Sequence, residues 1–127
     1  MRAYLDIETA FDGTISVIGM YRPDLGTIQL VGGGVRDLSL YEALEGVRTL
    51  VTFNGSTFDL RPDLGRIDAD TLVVTGRQDF ICGPAAAAPF VEGIPRAELV
   101  VIEDAGHFTF LEQPDAFREA VEAFLSG

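Results

Sequence analysis

Two carboxylates stand close together near the start of the chain, in Asp6-Ile7-Glu8, and a third, Asp59, closes the run Asn54-Gly55-Ser56-Thr57-Phe58-Asp59. In an extended strand, residues i and i+2 point to one face, so Asp6 and Glu8 share a side. If the strands leading into these acids are parallel neighbours, all three gather at one end of a sheet. Hard Mg²⁺ or Mn²⁺ ions take such oxygen ligands, and a pair of them can clamp an in-line phosphoryl displacement. The one cysteine, Cys82, excludes an internal disulfide and leaves the compartment open.

The elements that must position these groups follow from hydrophobic period and turn residues. Ala3 to Ile7, Ile15 to Tyr21 and Thr27 to Val31 read as three strands. The turns Phe11-Asp12-Gly13 and Pro23-Asp24-Leu25-Gly26 join them into an antiparallel meander. Asp37 or Ser39 caps a helix running to about Leu44, with Gly46 as its stop. Thr49 to Phe53 is a fourth strand, and Leu60, Leu64 and Ile67 suggest a short helical turn after it. Beyond Thr71 the pattern changes. Leu72-Val73-Val74-Thr75-Gly76 and Leu99-Val100-Val101-Ile102 are continuous runs, as in strands buried on both faces. Pro84 to Val91 and Pro114 to Leu125 read as helices, the second with Phe117, Val121, Phe124 and Leu125 on its inner face. The expected architecture is a three-layer α/β single domain. Its mixed sheet has order 3-2-1-4-5-6, with the first three strands antiparallel, strands 4 to 6 parallel to strand 1, and helices on the faces.

Length and charge bound the function. A chain of 127 residues, 47% hydrophobic and 23% charged, suits one globular domain with one core. Twenty acidic against nine basic side chains, all nine of them Arg, give a net charge of -11. That balance argues against a passive nucleic-acid binder, which needs a basic patch. A bound divalent cation would reverse the local sign, so nucleic acid is a partner only if the metal site works. No apolar run is long enough for a membrane span, and no signal-peptide pattern opens the chain, so a soluble cytoplasmic protein is expected.

The first half resembles the ribonuclease H-like DEDD-type 3′–5′ exonucleases. Tyr4-Leu5-Asp6-Ile7-Glu8-Thr9 is similar to their first motif, and Phe53-Asn54-Gly55-Ser56-Thr57-Phe58-Asp59 to their second. The resemblance implies Mg²⁺ or Mn²⁺ at Asp6, Glu8 and Asp59. The family's last motif, a Tyr or His followed by an Asp on a later helix, is not found. His107 to Glu112 has the spacing but ends in Glu, and Glu112 or Asp115 would have to serve as the distant acid.

The second half resembles the C-terminal part of the α/β-hydrolases, in the style of the proline-iminopeptidase and esterase-like branch. Asp70-Thr71-Leu72-Val73-Val74-Thr75-Gly76-Arg77-Gln78-Asp79 is similar to the late strand that ends in the triad acid. Ala105-Gly106-His107-Phe108 is similar to the loop carrying the triad base, and Leu111-Glu112-Gln113-Pro114-Asp115-Ala116-Phe117 to the start of the last helix. The resemblance implies that Asp79 orients His107 and that His107 accepts a proton from a serine hydroxyl. No Gly-x-Ser-x-Gly elbow is present. Ser56 falls in the exonuclease-like motif, Ser16 inside a strand, and Cys82 fits a small packed hydrophobe.

Two partial families in one domain-sized chain suggest a chimera: a ribonuclease H-like half over 1–62 and an α/β-hydrolase half over 63–127, each completing the other's sheet. On this reading the product is a scaffold without a complete active site, natural or engineered. The alternatives are a Mg²⁺/Mn²⁺-dependent nuclease and a remnant serine-type hydrolase. Exposed sheet edges would allow a homodimer by strand pairing.

Overall fold

A computed structural model of the chain describes residues 1–9, 15–32, 37–53 and 64–127. Six strands form one sheet: β1 (Arg2–Thr9), β2 (Ile15–Arg22), β3 (Gly26–Val31), β4 (Thr49–Phe53), β5 (Asp70–Gly76) and β6 (Ala97–Ile102). Their order is β3-β2-β1-β4-β5-β6, as the sequence pattern predicts. β1 pairs antiparallel with β2, and β2 with β3. β1, β4, β5 and β6 run parallel to one another. Four helices accompany them: α1 (Asp37–Leu44), α2 (Pro84–Gly93), α3 (Thr109–Glu112) and α4 (Pro114–Ser126). A 3-10 turn, Leu64–Arg66, stands at the short helical turn expected around Leu64.

The strand patterns explain the layers. β3 alternates half-buried and exposed residues, as in a strand with one solvated face. β5 is buried at every position after Asp70, because it lies inside the sheet with helices over both faces. On one face Ala3, Leu5, Ile18, Met20, Leu50 and Val73 pack with Leu40 of α1 and with Ala87 and Phe90 of α2. On the other, Val51, Leu72, Val74 and Ile102 meet Phe117, Ala120, Val121, Phe124 and Leu125. The predicted inner face of α4 is the one that packs, although its residues are only partly buried. Among the described residues, no helix is long and apolar enough to cross a membrane.

One polar anchor ties the meander to the first helix. Arg22, 5% exposed, ion-pairs with Asp24 and donates to the carbonyls of Ala43 (2.6 Å) and Glu45 (3.0 Å). These carbonyls close the C-terminal end of α1, which favours a cation.

The helix α3 has no counterpart in the sequence pattern. Thr109-Phe110-Leu111-Glu112 has no helical period long enough to show, and its single turn forms because Leu111 and Glu112 N–H groups return to the Phe108 carbonyl (2.9 and 3.0 Å).

Candidate active site

Because β1, β4, β5 and β6 are parallel, their C-terminal ends share one edge of the sheet. Ligand sites of open α/β sheets form at that edge, in the loops that leave it. Two such loops meet here: the one after β5, carrying Asp79, and the one after β6, carrying His107.

Backbone hydrogen bonds bring the loops together. Arg77 N–H donates to the Ile102 carbonyl and Gln78 N–H to the Ala105 carbonyl, both at 2.9 Å. This approach needs a glycine at position 76, since a Cβ there would overlap the carbonyl oxygens of Ala105 and Gly106. The Arg77 guanidinium grips Glu103 through Nε and Nη2, with a closest contact of 2.7 Å. That contact holds the Glu103 carboxyl below the ordinary carboxylate range and raises the Arg77 guanidinium. Asp104 turns the chain with φ 54°, and Gln113 Nε2 donates to its carbonyl (3.2 Å).

The Asp79 side chain is 2% exposed and fully engaged. Its Oδ1 accepts the N–H groups of Ile81 and Cys82, each at 2.9 Å. Its Oδ2 stands 2.9 Å from His107 Nδ1. Thr75 Oγ1 donates to the Cys82 carbonyl (2.7 Å), fixing the far end of the turn, and a Cβ at Gly83 would overlap the Asp79 carbonyl oxygen. The turn is built around the carboxylate and aims its second oxygen at the imidazole. The His107 side chain keeps 22% of its surface open. With the proton on Nδ1, held by Asp79, the Nε2 lone pair is the one left to accept a proton. Phe108 meets the imidazole edge-on at 5.2 Å between ring centres. Phe80, Ile81, Phe108, Phe110 and Leu111, all adjacent in sequence to the pair or its loop, are exposed.

The arrangement bears on each residue singled out from the sequence. The structure brings together Asp79 and His107, the residues to which the hydrolase resemblance gives the parts of acid and base. Cys82 is buried beside them, and one donor atom each from Asp79, Cys82 and His107 lie within 4.8 Å of one another. Of the three acids assigned to Mg²⁺ or Mn²⁺, Asp6 sits opposite Phe53 of β4 and Gly19 of β2 in register. Glu8 follows two places along β1, opposite Val17, so the backbone gives both the same face. The Glu8 side chain and all of Asp59 lie outside the described residues. Both acids named as a possible fourth ligand have other partners in the structure. Glu112 Oε2 accepts the N–H groups of Gly106 (3.0 Å) and Phe108 (3.1 Å), and Asp115 pairs with Arg118 at 2.8 Å. Among the described side chains the one serine is Ser126, whose hydroxyl donates to the Glu122 carbonyl (2.7 Å) in α4. Ser56 and the side chain of Ser16 lie outside the described residues.

Known proteins agree with the second half of this reading. The sequence model of the alpha/beta hydrolase fold matches residues 54–114, which includes Asp79, His107 and Glu112. The chain is 34% identical over 70 residues to a putative carbamate hydrolase RutD of Pseudomonas syringae, covering 55% of this chain and 27% of that protein. It is 38% identical over 68 residues to the proline iminopeptidase PfmaB of Pestalotiopsis fici, covering 54% and 24%. The chain thus spans about a quarter of the length of these relatives. A crystal structure of MGS-MChE2, an alpha/beta hydrolase from a lagoon-sediment metagenome of Mar Chica, Morocco, superposes with a TM-score of 0.61 at 18% identity. It covers 70% of this chain and 54% of that one. That coverage exceeds what the residues from 54 onward can supply, so part of the first half is included in the superposition. The fold is of the α/β-hydrolase type, and residues 54–114 carry the sequence pattern of that family. The family match begins at Asn54 and takes in the run to Asp59 read above as exonuclease-like. The ribonuclease H-like resemblance, and the origin from two sources, rest on the residue pattern alone.

Proposed function

We propose that this chain supplies the acid and base of an α/β-hydrolase-type site, with His107, oriented by Asp79, as the general base for attack on an ester-like carbonyl. The observation that carries this reading is the 2.9 Å contact from His107 Nδ1 to a buried carboxylate whose other oxygen is occupied by two backbone N–H groups. A carboxylate so held keeps one ring tautomer and steadies the imidazolium that forms when Nε2 takes a proton. The family match over this segment and the hydrolase and peptidase names of the relatives support it. The exposed phenylalanines and leucine beside the pair suit an apolar acyl or leaving group. Among the described residues no nucleophile stands at His107, and a base without one gives little rate, so slow turnover is expected. Residues 1–62 act in this reading as the scaffold that completes the sheet.

Hydrolysis of a nitrophenyl ester tests it, with a fluorophosphonate label and peptide mass mapping to locate any reactive hydroxyl. The expected result is slow hydrolysis that His107→Ala abolishes and Asp79→Asn sharply lowers. A rate that survives His107→Ala would sink the proposal.

A further inference from the structure

We propose that Glu112 is the positioning residue for His107: one carboxylate oxygen clamps the backbone N–H groups of the residues on both sides of the histidine and so sets the direction of its ring. The inference rests on the reading of Asp79 and His107 as an acid–base pair. Glu112 Oε2 accepts from Gly106 N–H at 3.0 Å and from Phe108 N–H at 3.1 Å, the two residues that flank His107. The link is reciprocal, since the Glu112 N–H donates to the Phe108 carbonyl at 3.0 Å. The turn of α3 therefore folds the carboxylate back over the loop that precedes it. The floor of that turn is Thr109, 2% exposed, and Gln113 N–H closes it onto the Thr109 carbonyl at 2.9 Å.

The residue at 106 fits this clamp. A Cβ on Gly106 would stand 3.2 Å from Glu112 Oε1, tighter than an ordinary contact, so a side chain there would push the carboxylate off its donors. With the Ala105–Gly106 and His107–Phe108 peptides tied to one carboxylate, the backbone on either side of His107 has little freedom to turn the ring away. The short contact to Asp79 then needs little further ordering. Charge-assisted bonds from a carboxylate to backbone N–H groups are about twice as strong as neutral ones. Glu112 is thus suited to hold a loop that β6 releases at Ile102.

A purely structural alternative is that Glu112 only stabilises α3. The two roles separate on the histidine itself, because the chain has a single histidine and its imidazole gives one spin system. The ring-nitrogen shifts of the ¹⁵N-labelled full chain, read through the carbon-bound ring protons above the titration range, report the tautomer. In the unmodified protein the expected pattern is a protonated Nδ1 and an unprotonated Nε2. Glu112→Ala is expected to lose that pattern and give nitrogen shifts averaged between tautomers. Glu112→Gln keeps an oxygen acceptor and is expected to retain it. Should Glu112→Ala fail to fold, Glu112→Asp, whose carboxylate is withdrawn by one methylene, is expected to weaken the pattern in a folded protein. An unchanged pattern in a folded Glu112→Ala or in Glu112→Asp overturns the positioning role and leaves the acid–base pair standing. Loss in Glu112→Gln as complete as in Glu112→Ala also overturns it. Averaged shifts in the unmodified protein would instead remove the Asp79–His107 pair, and this inference with it.

Discussion

Asp79 has two tasks in this structure, and removing it should cost far more stability than removing the histidine it serves. In Asp79→Ala the Ile81 and Cys82 N–H groups lose their acceptor. Cys82 is 3% exposed, so water cannot readily replace the carboxylate at its N–H. An orphaned buried donor costs roughly 1–3 kcal/mol, and the half-buried Ile81 group adds less, for a total of about 3 kcal/mol. His107→Ala removes one hydrogen bond from Asp79 but leaves the two backbone bonds intact. The vacated ring position is 22% open, so water can reach the free carboxylate oxygen, and the cost should be about 1 kcal/mol. Asp79→Asn should fall between. Its carbonyl keeps the backbone donors, while its amide nitrogen faces Nδ1 and forces the ring into the other tautomer. Urea unfolding at one fixed pH reads the difference. A gap of about 2 kcal/mol corresponds to a midpoint separation of about 1 M at typical slopes. If His107→Ala proves as destabilising as Asp79→Ala, the carboxylate is not the organiser of the 79–82 turn and the reasoning fails.

Gly76→Ala puts a methyl group into the carbonyls of Ala105 and Gly106, and since backbone must move, it should cost about 1–3 kcal/mol or more in urea unfolding and disturb the His107 ring-nitrogen shifts. Thr52 is fully buried and its hydroxyl has no partner among the described residues, so Thr52→Val should stabilise the protein by about 1 kcal/mol; a loss of stability would show that the hydroxyl is satisfied. The hydrogen bond from Arg22 holds Asp24 below its ordinary value of 3.8, as that from Arg77 holds Glu103 below 4.5. Their stabilisation is full above those values and is lost as pH falls through the lower folded-state values. Asp24→Asn should therefore flatten the acid limb of a stability–pH curve below about pH 4 without changing its slope near neutrality.

Much of the architecture was legible because strand and helix patterns are local. The alternation from Thr27 and the continuous apolar run of β5 each declare their own burial. The equally apolar run of β6 reads as buried on both faces but is mostly half-buried, because β6 takes the edge of the sheet and only Ile102 is fully covered. The order of the sheet followed from placing these runs in known half-sheets, and it holds. The site was less legible. Asp79 and His107 were found by resemblance, but the sequence does not show that one oxygen of Asp79 is already committed to its own turn. Spacing offers Glu112 only as one possible distant acid, because distance along the chain from His107 says nothing of which way α3 folds back. The signal available was the glycine at 106, next to His107 and six residues before an acid.

The sequence by itself determined the six strands, the longer helices, the acidic charge balance and the candidacy of Asp79 and His107 as an acid–base pair. Those properties depend on covalent neighbours and their periodicity. Only the tertiary structure decided which carboxylate oxygen faces the imidazole, why residue 76 must lack a side chain, and what Glu112 holds. Each of these is set where loops from separate parallel strands converge, and hydrogen-bond partners there are chosen by geometry across the gap rather than by distance along the chain.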